Sequence, residues 1–241
     1  MITPDWPVPP GVHARCSTRG GGVSAPPYDT LNLGDHVGDD AANVAANRGL
    51  YADALQARPV FLQQVHGRGV VQLSHATVDG TEADACWTTE RGLACTMMVA
   101  DCLPVLLADR RGSVVGAAHC GWRGLAGEQG AGVLEALWNA MAPHAGNASG
   151  MVAWLGPCIG PEAFEVGAEV RAAFVEGDAQ AARCFRPRGE GKFLADLPAL
   201  ARRRLAALGI GSVHGNDGST QWCTVANASR FFSHRRDRVS G

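Results

Sequence analysis

Three short segments hold the residues best suited to chemistry: Gln63-Gln64-Val65-His66-Gly67, Val99-Ala100-Asp101-Cys102-Leu103-Pro104 and Ala118-His119-Cys120-Gly121-Trp122-Arg123-Gly124. His66, Cys102 and His119 read as the donor set of a three-ligand metal site. Two imidazoles and a thiolate suit zinc, and three protein ligands leave one tetrahedral position open, which separates a catalytic zinc from a structural one. Copper accepts the same donor types.

The spacing says how such a site is built. Leu103–Asp109 (LPVLLAD) and residues 113–118 (SVVGAA) are apolar runs, and Arg110-Arg111-Gly112 between them reads as a tight turn, so a β-hairpin is predicted. Folding back makes neighbours of Cys102, just before the first strand, and His119, just after the second, although they stand 17 positions apart. A loop of two or four residues keeps both side chains on one face, whereas three residues turn them to opposite faces, because strand side chains alternate. His66 ends a separate apolar stretch, residues 60–65, and must arrive from another strand.

Ordinary structural roles account for most residues of the same types. A cysteine among Ala, Val and Leu is usually a small buried hydrophobe, and this role is assigned to Cys16, Cys86, Cys95, Cys120, Cys158, Cys184 and Cys223. Local hydrogen bonding is assigned to His13, His75, His144 and His214. The Gly-rich, turn-like settings of His66, Cys102 and His119 fit a site better than a core.

At 241 residues the chain can bury a core as one domain, 1–241. Lys plus Arg number 21 against 23 Asp plus Glu, so no strong field attracts nucleic acid or an anionic membrane. No apolar run approaches the roughly 18 residues of a membrane helix. The start, MITPDWPVPPG, lacks the cationic and apolar stretches of a secretory peptide. Eight cysteines without a short-domain framework fit a reducing compartment, so the expected location is the cytoplasm.

Strands are predicted at residues 12–17, 60–66, 70–73, 94–99, 103–109, 113–118 and 151–155, and the segment 20–27 reads as a loop. Leu134, Leu137, Trp138 and Met141 make one helical stripe; Leu197, Leu200, Ala201, Leu205 and Leu208 make another that ends at Gly209. Arg202, Arg203 and Arg204 read as a solvated helix face. The mixture predicts a layered α/β (α+β) domain with antiparallel hairpins.

Many ordered segments resemble the YfiH-type family, described variously as polyphenol oxidase or laccase-domain proteins and as purine nucleoside phosphorylases. Besides the three segments above they include Thr18-Arg19-Gly20-Gly21, Asn32-Leu33-Gly34, Val37-Gly38-Asp39-Asp40, Asn47-Arg48, Gly156-Pro157-Cys158-Ile159-Gly160, Phe164-Glu165-Val166-Gly167, Asp196-Leu197 and Phe231-Phe232-Ser233-His234-Arg235-Arg236-Asp237. The resemblance implies two packed mixed β-sheets flanked by helices, zinc held by His66, Cys102 and His119, and Arg48 at the substrate or phosphate site. Read alone, Arg48 is a helix-surface arginine. Where the family pattern has tyrosine this chain has Phe164 and His234, and it ends Val239-Ser240-Gly241 where the pattern runs on to an arginine.

The activities the resemblance implies are phosphorolysis of adenosine, inosine, guanosine and methylthioadenosine, and deamination of adenosine. Both chemistries suit a zinc centre: zinc activates water for attack at C6 of adenosine, and phosphorolysis adds the need for an anion clamp. Arg48 and Arg123 are the clamp candidates, since a guanidinium is a planar fork matched to phosphate oxygens. Trp122 is a candidate to stack on a purine or to fill the core. The His-x-Glu and Pro-Cys-x-x-Cys signatures of cytidine-deaminase sites are absent, because Gly67-Arg68 follows His66 and Ile159-Gly160 follows Pro157-Cys158.

Three other classes fit parts of the pattern. A metal-independent cysteine hydrolase would use Cys102 as nucleophile and His119 as base. A copper-dependent polyphenol oxidase is disfavoured, because eight histidines without a His-x-His pair cannot furnish a blue-copper site and a trinuclear cluster. A non-catalytic metal-binding module would hold zinc without turnover.

Overall fold

A computed structural model describes residues 1–237, so Val239-Ser240-Gly241 lie outside the described residues. Besides short 3-10 turns, the elements in chain order are α1 (Ala41–Leu55), β1 (Arg58–Val60), β2 (Val70–Gln72), β3 (Ala85–Thr88), β4 (Leu93–Cys95), β5 (Leu103–Asp109), β6 (Val115–Cys120), α2 (Trp122–Ala126), α3 (Val133–Met141), β7 (Met151–Leu155), β8 (Glu165–Val166), α4 (Ala168–Val175), β9 (Phe185–Gly189), β10 (Lys192–Ala195), α5 (Leu197–Ala207), β11 (Ser212–Gly215) and α6 (His234–Asp237). The apolar runs become the centre of a six-stranded sheet of order β11-β7-β5-β6-β3-β2, with β1 and β4 forming a parallel pair and β8, β10 and β9 a third sheet. In the six-stranded sheet the inner pairs are antiparallel, and the edge strands β11 and β2 pair parallel to their neighbours.

Register sorts the core into two layers. Leu106 lies opposite Ala117, which lies opposite Cys86, and this face packs against Val60, Leu62 and Leu93 of the β1–β4 layer. The alternate residues Val105, Leu107 and Ala118 face the other way, onto Leu134, Leu137 and Met141 of α3 and Leu200 and Leu205 of α5. The layered α/β expectation therefore holds: mixed sheets packed together and flanked by helices. No helix among the described residues is long and apolar enough to cross a membrane.

The helices begin where short polar side chains take up their free N–H groups. Asp40 accepts from the N–H groups of Ala42 and Asn43 at the start of α1, and Asp196 accepts from Ala199 at the start of α5. Both predicted stripes face the core, with Leu134, Leu137, Met141 and Leu205 fully buried. Buried Asn47, on α1, ties down the predicted loop: its amide donates to Ser24, to the Thr30 carbonyl and to the Asn32 carbonyl, and accepts from Val23 N–H. A Cβ on Gly22 would lie 2.4 Å from the same Asn47 oxygen, so only glycine fits there.

Several predicted strands differ from the observed ones. Residues 12–17 make a single bridge, Cys16 to Ile2. The 60–66 strand stops at Val60, and the 94–99 strand is β4, ending at Cys95. Strand 113–118 is β6, because Asp109 draws Ser113 into the turn: its carboxylate accepts from Ser113 N–H at 2.7 Å and from the Ser113 hydroxyl at 3.0 Å. Asp109 N–H bonds the Val114 carbonyl, enclosing residues 110–113, a four-residue loop. Arg202, Arg203 and Arg204 do not form a solvated face. Arg202 donates to the carbonyls of Val213 and Asn216, Arg203 pairs with Asp178, and Arg204 reaches the Ala126 carbonyl and Glu135.

Candidate metal centre

The hairpin brings two of the three predicted ligands to one face. Leu103 pairs with Cys120 and Pro104 with His119, so Cys102 falls opposite Gly121 and is the diagonal neighbour of His119. An even loop keeps both side chains on the face that Leu106 and Ala117 share. His66 comes from a bend with φ 62°, not from a strand end. One donor atom from each of His66, Cys102 and His119 lies within 4.8 Å of the other two. The rings of His66 and His119 stand edge to face, 4.7 Å between centroids.

What holds His66 there is a residue that no motif announced. Asp84 immediately precedes β3, opposite His119, and its backbone carbonyl accepts the His119 N–H at 2.7 Å. One oxygen of its buried carboxylate meets His119 Nδ1 at 2.8 Å and His66 N–H at 2.9 Å; the other accepts Gly67 N–H at 2.7 Å and Val65 N–H at 3.2 Å. Three successive backbone N–H groups thus bond a carboxylate instead of a sheet at the end of the predicted 60–66 strand, which already leaves the sheet after Val60, where Phe61 N–H turns to the Asp79 carboxylate. The sequence clue was slight: an acid before the apolar run Ala85-Cys86-Trp87.

Four observations bear on a metal ion. Asp84 occupies His119 Nδ1, so the Nε2 lone pair is left for a ligand bond, as is usual for metal-ligating histidines. Gly121 leaves room: a Cβ there would lie 2.9 Å from His66 Cδ2 and 3.1 Å from Cys102 Sγ. Burial, with His119, Arg123 and His234 adding to it against Asp84, lowers the His66 pKa and favours a neutral, ligating ring. Burial, helped by Asp101 and Asp84, pushes the Cys102 thiol up to about 12. Thiolate at neutral pH therefore needs a neighbouring cation, which a metal supplies.

Arg48 and Arg123 are placed differently. Arg48, on α1, donates from Nε to the Leu33 carbonyl at 2.9 Å, pairs with Asp35 at 3.1 Å and lies over the Phe61 ring at 4.2 Å. It is no plain surface arginine: its side chain is 18% exposed. Arg123, exposed on α2, lies over the Trp122 ring and has no carboxylate partner among the described residues. Trp122 packs against the main core, and this cation covers one of its faces.

Asp101, next to Cys102, has φ 98°, a region L residues rarely adopt. Its carboxylate accepts the Thr224 hydroxyl at 2.5 Å and Arg235 N–H at 2.6 Å, binding the C-terminal segment to the site. Arg235 spends its guanidinium on the Glu165 carbonyl, and Arg236 spends its own on the carbonyls of Thr224, Val225 and Phe231 and on the Asp237 carboxylate at 2.7 Å. On the sheet face of Leu106 and Trp154 opens a cavity of about 540 Å³ whose walls include Tyr28, Met98, Ala100, Pro104, Phe232 and His234; the three ligand candidates are not among its lining residues.

Residues 13–241 match the family described as "Multi-copper polyphenol oxidoreductase laccase". The chain belongs to that family. It is 48% identical over 241 residues to the Pseudomonas aeruginosa protein named "Purine nucleoside phosphorylase PA4543", covering all of this chain and 94% of that one. Identity is also 48%, over 243 residues, to the Escherichia coli protein named "Purine nucleoside phosphorylase YfiH", covering 100% and 95%. The crystal structure of Neisseria meningitidis protein NMB0706 superposes with a TM-score of 0.90 at 43% identity, covering 100% of this chain and 95% of that one. The YfiH-type resemblance read from the sequence is thereby shown.

Proposed function

We propose that the protein is a zinc-dependent purine nucleoside phosphorylase that also deaminates adenosine. The observation that carries this reading is the convergence of His66, Cys102 and His119 within 4.8 Å, near Arg123, which has no carboxylate partner among the described residues. These three residues would hold the ion. When bound, zinc would act as a Lewis acid toward an oxygen at its open position.

The chain's own groups do the rest. Arg123 offers a fork of N–H donors to inorganic phosphate, and Arg48, its charge shared with Asp35, is the second candidate clamp. A phosphate oxygen attacks C1′ of the ribose, the bond from C1′ to N9 of the purine breaks, and its electron pair leaves with the base, giving ribose 1-phosphate. The 540 Å³ cavity lies within the usual size range of small-molecule sites and suits a nucleoside. Adenosine, inosine, guanosine and methylthioadenosine are the proposed substrates, and the cytoplasm the proposed location; no nucleic acid or membrane partner is proposed.

Incubation of the purified protein with adenosine or inosine, with and without phosphate, tests the reading. Phosphate-dependent release of free base and ribose 1-phosphate is expected, with inosine formed from adenosine. A copper enzyme would instead show stoichiometric copper and oxidise phenols. The metal-free alternative has one observation in its favour, the sequence Asp84, His119, Cys102 of carboxylate, imidazole and thiol. It requires activity that survives chelation and is lost when Cys102 is alkylated; the thiol's raised pKa argues against it. Zinc without turnover on any nucleoside would leave the non-catalytic module.

A further inference from the structure

We infer that Asp84 is the positioning residue of this centre: one carboxylate sets the tautomer of His119 and the orientation of His66, so that both imidazoles stand ready before the metal arrives. The inference rests on the metal reading above. Asp84 is fully buried and has no Lys or Arg partner among the described residues. Each of its oxygens takes two donors: Oδ1 the His66 N–H and His119 Nδ1, Oδ2 the Val65 and Gly67 N–H groups. Four donors on one side chain demand acceptors on both of its prongs, which only an ionised carboxylate provides.

The two histidines are reached by different routes. His119 is the cross-strand partner of Asp84 and is fixed through its ring, Nδ1–H donating and Nε2 left bare. His66 is fixed through its backbone, its φ of 62° held by the same carboxylate's grip on residues 65–67. Charge closes the arrangement: a divalent ion, one thiolate and one carboxylate sum to zero, with His119 and Asp84 buried and His66 at the exposed rim.

Asp84→Asn is the sharpest substitution, because the amide is the same size but must turn its NH2 toward two donors. Either it opposes Val65 and Gly67 and frees the loop, or it opposes His66 N–H and drives the His119 proton onto Nε2, removing the lone pair. The full-length wild type and the variant are titrated with zinc against a chromophoric chelator, and the visible spectra of their cobalt forms are compared. We expect zinc affinity to fall by about 10- to 100-fold and the cobalt bands to shift, with the unfolding midpoint showing a folded protein. Imidazole ¹⁵N spectra of the metal-free wild type, which need no variant, are expected to show His119 protonated on Nδ1. Wild-type affinity and an unchanged cobalt spectrum in Asp84→Asn, or His119 protonated on Nε2, overturns the assignment of Asp84 alone. A wild type that takes up no zinc overturns the metal reading with it.

Discussion

At the residue scale the three proposed ligands, which the structure brings within 4.8 Å of one another, stand out in the sequence because their types are uncommon together and their neighbours are small. Asp84 was not legible. Its role is made by pairing across the sheet, a property of register, and an acid before the apolar run Ala85-Cys86-Trp87 is too common a pattern to mark it. Gly121 is the complementary case, a residue whose use is the space it leaves. Gly121→Ala is expected to lose metal while remaining folded, since the added methyl would stand 2.9 Å from His66 Cδ2; metal analysis beside a thermal melt checks this. Arg123→Ala is expected to raise KM for phosphate at least tenfold with zinc content unchanged, as phosphate-dependent kinetics will report. The thiol pKa gives a sign for metal uptake. Cys102, held at about 12 in the absence of a cation, is protonated at pH 7 and must release that proton to ligate. Zinc addition at pH 7 should therefore liberate about one proton per site, seen with an indicator dye, and affinity should rise with pH.

At the element scale the β5–β6 hairpin decides the site, and its turn decides the hairpin. The side-chain alternation that puts Cys102 and His119 on one face was available from the sequence, but the loop length was not, since Arg110-Arg111-Gly112 alone suggested three residues. The missing fourth is Ser113, recruited by Asp109. Burial acts to raise the Asp109 pKa, but the Arg111 guanidinium, Ser113 and Val114 N–H together hold it below the usual carboxylate value. A depressed folded value means that Asp109 stabilises the fold above about pH 4 and loses this contribution as pH falls through its folded pKa. Asp109→Ala is expected to cost about 1–3 kcal/mol at pH 7, and less in acid, by urea unfolding at the two pH values. The short strands β8 to β11 left no readable pattern because β8 has two residues and β9 is exposed beyond Phe185.

At the scale of the whole molecule, one sheet serves two purposes. Its helix-covered face is the ordinary core, where Leu137→Ala should destabilise by about 2–5 kcal/mol, measured by denaturant titration, and leave metal content untouched. The opposite face is only partly roofed by the β1–β4 pair, and His66, Cys102 and His119 converge at its end. Stripes and apolar runs announced the first face. The second was visible only as isolated histidines and a cysteine, because polar sites have no periodicity to detect.

The clasp between Asp101 and the segment around Thr224 and Arg235 spans most of the chain. On the ribosome the three donors emerge early, but the backbone beside the sulfur gains its restraint only once residue 235 has been translated. Prematurely terminated products would thus present the soft donor on a loose tether, and metallation should follow synthesis of that segment rather than accompany the hairpin's emergence.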